Sequence, residues 1–253
     1  MADLEWVVGF HAVLGALAGA RGVEQVWLQR GRRDGRTRRV AEAARQRGVP
    51  VRQVERERLD GVAGGTPHNG CAARVAPVSV LAPDDLVAEA GAPGRIVLLD
   101  DVQDPHNVGA VVRTAAAFEV DGVILAGPAA PPLGGAVAKA AAGYLDRVPV
   151  SRCTVAADAL AGLAAAGYWV VGAEAGAPSI GHSRPVDRWV LCLGSEERGV
   201  RAKTRSRVDE WVSVPIAPEV ESLNLSVAAG VLLYHMCALW PERTEEEGSR
   251  GQG

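Results

Sequence analysis

From Arg95 to Trp240, short apolar runs alternate with stretches of helical period, and few folds accept that order. Ile96–Leu99, Gly122–Leu125, Val148–Ser151, Trp169–Ala173, Trp189–Leu193 and Trp211–Val214 read as strands, apolar nearly throughout and so buried on both faces. Val108–Phe118, Ala136–Ala142, Ala156–Ala166 and Leu225–Leu239 read as the helices between and after them. Strand and helix in turn predict a mostly parallel sheet covered by helices on both faces. In such sheets ligands bind at the carboxyl ends of the strands, so the loops that follow strands are where chemistry is sought.

The first 76 residues carry a smaller α/β pattern: helical spacing over Phe10–Ala18, a strand at Val26–Gln29, a helix at Thr37–Arg47 stopped by Gly48, and strands at Val49–Val54 and Cys71–Val75. Residues 77–94, punctuated by Pro77, Pro83 and Pro93, read as a linker, and 95–241 as the second domain. The polar tail 242–253 is expected to be disordered. A chain of 253 residues with 48% apolar and 23% charged side chains has enough apolar surface for two cores, which excludes global disorder and coiled coil.

The 15 uncharged residues Ala159–Ala173 are too few for a membrane span and are broken by glycines. Asp3 and Glu5 stand where a signal peptide would be basic, so a cytoplasmic protein is expected. Cys71, Cys153, Cys192 and Cys237 lie far apart in apolar surroundings; neither a zinc site nor a disulfide framework fits them, and they read as small buried hydrophobes.

A net charge of −3 conceals an uneven distribution: residues 1–80 hold 13 basic against 8 acidic side chains, leaving 14 against 22 for the rest. Arg30, Arg32, Arg33, Arg36, Arg38 and Arg39 crowd into ten residues opposed only by Asp34, a density suited to phosphates and hence to a nucleic acid. The chain has 25 Arg and 2 Lys, so a solvated helix face in an arginine-rich protein is the plainer alternative.

Three loops gather polar residues in an otherwise Ala-, Val- and Leu-rich domain. Asp100–Asn107 leads into a helix whose Val108, Val111, Val112 and Ala115 fall on one face, leaving Arg113 on the other beside Gly109, Ala116 and Ala117. Gly194–Gly199 follows an apolar strand without the Lys-Ser/Thr of a phosphate loop, and no G-x-G-x-x-G follows any strand, which disfavours nucleotide hydrolysis and nicotinamide chemistry. Val214–Ser226 precedes a helix apolar on nearly every face, which must be buried on all sides, within the domain or against a partner; Ser222 or Asn224 could cap it.

In this order and spacing, the loops resemble the three signature motifs of the SpoU (TrmH) family of RNA ribose 2′-O-methyltransferases, in the SPOUT superfamily. Asp104, Pro105, Asn107, Gly109 and Arg113 match D-P-x-N-x-G-x-x-x-R. Gly194, Glu196 and Gly199 match G-x-E-x-x-G, and Ser222, Leu223, Asn224, Ser226 and Ala228 match S-L-N-x-S-x-A. Glu197 and Arg198 depart from the second motif, where many relatives carry smaller or acidic residues. Gly9–Val13 and His68–Val75 are similar to elements of the amino-terminal substrate-binding domain in the branch acting on 23S rRNA guanosines.

The resemblance implies a knotted, trefoil, Rossmann-like parallel-sheet domain behind a small α/β substrate-binding domain, working as a homodimer without metal. The implied donor is S-adenosylmethionine and the implied acceptor a ribose 2′-hydroxyl of RNA, most directly a 23S rRNA guanosine. A resistance-type 23S rRNA enzyme, a transfer-RNA enzyme and a catalytically silent RNA-binding protein are the alternatives. Asn107, Arg113, Glu196, Ser222 and Asn224 are the implied catalytic residues. Leu193, Gly194, Glu196, Gly199, Ile216, Leu223, Asn224 and Leu225 are the implied cofactor contacts. A guanidinium keeps its charge in water, so Arg113 is expected to hold a phosphate and stabilise a nascent alkoxide instead of acting as a base. His11 and His106 are weaker candidates, better suited to structural hydrogen bonds.

Overall fold

The computed structural model describes residues 4–90 and 94–240. In chain order the elements are β1 (Glu5–Val8), α1 (Phe10–Ala18), β2 (Val23–Gln29), α2 (Gly35–Gln46), β3 (Val51–Val54), α3 (Arg56–Ala63), β4 (Cys71–Val75), β5 (Val80–Leu81) and α4 (Pro83–Glu89). They continue with β6 (Gly94–Asp100), α5 (Pro105–Ala117), β7 (Gly122–Ala126), α6 (Gly135–Ala140), β8 (Val150–Cys153), α7 (Ala156–Ala165) and β9 (Trp169–Ala173). The last are β10 (Arg188–Gly194), α8 (Ala202–Arg205), β11 (Glu210–Val212) and α9 (Leu225–Tyr234), which runs on as a π-helical turn over His235–Leu239. By packing the chain forms two compact units that share the sequence in alternation. The first takes residues up to Leu81, Gln103–Ala116 and Ala129–Val150; the second takes Ala82–Val102, Ala117–Pro128 and the chain from Ser151.

In the first unit β4 runs antiparallel to both β1 and β2, and β3 parallel to β2, in the order β1-β4-β2-β3. Phe10, Val13, Ala16 and Leu17 of α1 join Val26, Leu28, Val40 and Ala73 in one buried core. Asp34 starts α2 by accepting the Thr37 N–H at 2.8 Å. That bond and the Arg32 guanidinium pull the Asp34 carboxyl down to about 2, so the cap stays charged. Helix α3, whose charged sequence hides its period, is anchored by the fully buried Leu59 and closed by Gly64 at a φ of 53°.

In the second unit the strands lie in the order β11-β9-β10-β6-β7-β8, and the pairs β11–β9, β9–β10, β10–β6 and β6–β7 are parallel. Central β6 and β10 are buried from Ile96 to Asp100 and from Trp189 to Leu193, as their continuous apolar runs require. In register, Leu99 faces Leu193 and Asp100 faces Gly194, so these two strands end side by side. Strand order reverses between them: β7 lies outward of β6, β9 outward of β10.

One expectation is corrected. Residues 77–94 are not bare linker, because β5 and α4 lie there; Pro83 sits in the first helical turn, where its missing N–H costs nothing, and Leu86 is fully buried. Helix α9 is buried within the chain on one side only: Leu225, Ala229, Leu232 and Leu233 are buried, whereas Val227, Val231 and Tyr234 stand exposed on its other side. Cys71 and Cys192 are buried, Cys153 and Cys237 half-buried, and all four are free thiols. Burial pushes the Cys71 thiol up to about 12. The tail 242–253 falls outside the described residues.

Candidate active site

The first motif opens where Asp104 Oδ1 accepts the His106 N–H at 2.9 Å and α5 begins. Val108, Val111, Val112 and Ala115 are fully buried, Asn107 is buried, and Arg113 is exposed. Gly109 lets a neighbouring backbone come close: a Cβ there would stand 2.5 Å from the Ala140 Cβ and 2.6 Å from the Val137 carbonyl oxygen, so its bareness admits α6.

The second motif is a tight return after β10. The Gly199 N–H donates to the Ser195 carbonyl at 2.8 Å, and Gly199 takes a φ of 63°. A Cβ on Gly194 would overlap Gly199 and the Val200 nitrogen. Both glycines of G-x-E-x-x-G are therefore demanded by the backbone, and Glu196, Glu197 and Arg198 stand exposed at the tip.

In the third motif Asn224 caps α9, its Oδ1 accepting from the N–H of Ser226 at 2.9 Å and of Val227 at 3.3 Å. Its Nδ2 donates to Glu196 Oε1 at 3.1 Å, which ties the third motif to the second. Between these loops lies a cavity walled by Leu193, Ile216, Leu223, Leu225 and Leu232, with Gly194, Glu196, Gly199 and Ser222 at its polar side. Seven of the eight residues expected to hold a cofactor line it; Asn224 does not, being turned to its cap and to Glu196. Of the expected catalytic residues, Glu196, Ser222 and Asn224 gather in the second unit, while Asn107 and Arg113 belong to the first.

Sequence reasoning missed a pair on the cavity lining. Glu174 takes a fork from Arg205, Nη1 to Oε1 at 2.6 Å and Nη2 to Oε2 at 2.9 Å, and that guanidinium lies 4.3 Å from the centroid of Trp211. The hydrogen bonds hold the Glu174 carboxyl below its ordinary value. Glu174 was findable as the first charged residue after β9, at a carboxyl strand end. Arg205, 31 residues on, carried no signal.

The six clustered arginines are not equivalent. Arg30 pairs with Glu55 at 2.6 Å and Arg32 with Asp34 at 2.6 Å. Arg36 and Arg39 stand 5.8 and 5.7 Å from the centroid of the Phe10 ring, and Arg33 and Arg38 are exposed. His68 is structural: its Nδ1 accepts the Gly70 N–H at 3.0 Å and its Nε2 meets Asp60 at 3.0 Å, shaping the turn before β4.

Comparison with known proteins agrees with this architecture. Residues 94–234 match the SpoU rRNA Methylase family, and residues 6–81 match the domain described as RNA 2′-O ribose methyltransferase substrate binding. The chain is 39% identical over 238 residues to the 23S rRNA (guanosine-2′-O-)-methyltransferase RlmB of Xanthomonas axonopodis pv. citri, covering 91% of this chain and 94% of the relative. It is 35% identical to the RlmB of Nitrosomonas europaea, with 96% and 95% covered. Among solved structures it is similar to the SpoU methyltransferase AviRb of Streptomyces viridochromogenes in complex with AdoMet, with a TM-score of 0.76, 23% identity, and 92% and 89% of the two chains covered. An AdoMet-bound rRNA methyltransferase of Sinorhizobium meliloti gives a TM-score of 0.77 at 22% identity, covering 92% and 86%.

Parallel sheet, looped motifs and matched domains define an S-adenosylmethionine-dependent RNA ribose 2′-O-methyltransferase of the SPOUT class. The chain belongs to the SpoU rRNA Methylase family. Among the described residues no helix is long and apolar enough to cross a membrane, and no cluster of His, Cys, Asp and Glu could hold a metal ion.

Proposed function

We propose that this chain methylates the ribose 2′-hydroxyl of a guanosine in 23S rRNA, in the cytoplasm, as a knotted homodimer. The observation that carries the substrate is the 39% identity, across 91% of the chain, to a relative with that activity.

The cavity of the second unit suits S-adenosylmethionine by its chemistry. Leu193, Ile216, Leu223 and Leu225 offer apolar walls to a purine; Glu196 offers a carboxylate to a sulfonium, and the Glu174–Arg205 fork a polar edge to the amino-acid group. When bound, the cofactor supplies an electrophilic methyl group, which leaves sulfur as the ribose oxygen bonds to carbon. The protein's task is to hold the acceptor in line, receive its proton into solvent and stabilise the oxygen as charge develops. Arg113, exposed on α5, supplies that cation and grips the neighbouring phosphate, with buried Asn107 orienting the hydroxyl or the arginine. Glu196, hydrogen-bonded by Asn224, keeps the second and third motifs in register, and Ser222 lines the donor side. The exposed apolar row Val227, Val231 and Tyr234 on α9 supplies the dimer contact.

Purified protein, methyl-labelled S-adenosylmethionine and 23S rRNA from a strain lacking the gene test the reading. Label on one guanosine ribose is the expected result. Label absent from 23S rRNA, or present instead on transfer RNA, overturns the substrate assignment.

A further inference from the structure

The first unit holds a second cavity that none of the three signature motifs lines. One side is α1 and α2, contributing His11, Arg39 and Arg47; the other is the segment after α6, contributing Gly143, Tyr144 and Arg147. The two sides meet at backbone distance: a Cβ on Gly15 would overlap Gly143, itself at a φ of 90° that favours glycine.

The charges around this cavity have one sign. Arg39 and Arg147 are exposed and have no carboxylate partner among the ion pairs of the described residues. Arg47 is spent on the wall, donating to the carbonyls of Ala16 at 2.6 Å and Arg21 at 2.8 Å. No lining residue is acidic, and the nearby Asp146 is turned to buried Arg21 at 2.7 Å. Tyr144 is 37% exposed and Arg147 stands 5.3 Å from its ring centroid, so an aromatic face and two cations open onto one space.

We infer that this cavity takes an unpaired nucleotide of the RNA substrate, its base stacked on Tyr144 and its flanking phosphates held by Arg39 and Arg147. A cation-only rim selects a polyanion, and an exposed ring lining the same cavity selects a flat partner that paired bases cannot present. The inference rests on the reading of the chain as an RNA methyltransferase. It adds to the clustered arginines two residues from more than a hundred positions away, and makes Arg39 the member of that cluster that matters most here.

The test is binding of a 23S rRNA fragment against salt concentration, for wild type, Tyr144→Ala, Tyr144→Phe and the double variant Arg39→Ala/Arg147→Ala. Tyr144→Ala should weaken binding about five- to a hundredfold with the salt slope unchanged, and Tyr144→Phe should bind as wild type. The double variant should weaken binding about tenfold or more and lower the slope by roughly 1.5. S-adenosylmethionine affinity should be the same in all four proteins. Wild-type binding and slope in both Tyr144→Ala and the double variant, with wild-type methylation intact, would overturn the cavity and leave the activity standing. A wild-type protein that binds no rRNA overturns both.

Discussion

The carboxylate of Asp100 is fully buried at the carboxyl end of β6 and is held by Arg201: Nε reaches Oδ1 at 2.7 Å, and the Arg201 backbone N–H reaches Oδ2 at 3.0 Å. A buried carboxylate is tolerated only when paired, and here the partner is two residues past the second-motif loop. One ion pair therefore pins the trailing end of the Gly194–Gly199 return to the strand from which the first motif departs.

Removing one partner should expose that dependence. Arg201→Ala is expected to cost about 3 kcal/mol in urea unfolding, the low end for a broken buried pair, because the Arg201 side chain keeps 34% of its surface in water. Its affinity for S-adenosylmethionine should fall as well, since the loop is left untethered. A loss under about 1 kcal/mol would mean that water serves Asp100 as well as the guanidinium does.

Arg113 carries the sharpest expectation about chemistry. Arg113→Ala should slow single-turnover methyl transfer by roughly two to three orders of magnitude while calorimetric S-adenosylmethionine binding stays unchanged. Arg113→Lys should recover little, because a point charge does not reproduce the planar fork. Near-normal turnover in Arg113→Ala would transfer the role to Glu196 or Asn224.

The exposed row on α9 makes the oligomer testable. The wild-type chain should sediment as a dimer at micromolar concentration, and Val231→Glu should sediment as a monomer, since a buried unpaired carboxylate is among the costliest interface changes. Val231 is 41% exposed in the single chain, so the substitution spares the core. A wild-type monomer with full activity would end the dimer reading.

Acid should weaken the Glu174–Arg205 fork in a definite direction. The carboxyl of Glu174 sits below its ordinary value of 4.5, so the pair contributes stability above that pH and loses it as pH falls below. Wild type should exceed Glu174→Gln by less than about 1 kcal/mol at neutral pH, both partners being over two-fifths exposed. The gap should close on acidification. A gap that widened toward acid would contradict the sign.

Much of this is legible in the amino-acid sequence. Apolar runs of four to seven residues are local facts, so the buried strands β6, β7, β9 and β10 could be read directly, and G-x-E-x-x-G announced a turn that needs two glycines. Shorter or more charged elements such as β1, α3, β5, α4 and α8 escaped, because each buries at most two residues, as with Leu59 and Leu86, too few to show a period. Sequence by itself determined the parallel α/β class and the three loops, and left Ser222 and Asn224 as the two candidate caps of α9. Only the tertiary structure decided that β10 lies beside β6, that Asp100 finds Arg201, that Glu196 takes the Asn224 amide, and that Tyr144 and Arg147 share a cavity with Arg39. Periodicity and turn chemistry act over a few neighbouring residues, whereas these contacts depend on where the chain returns after 28 to 108 residues, which no local pattern encodes.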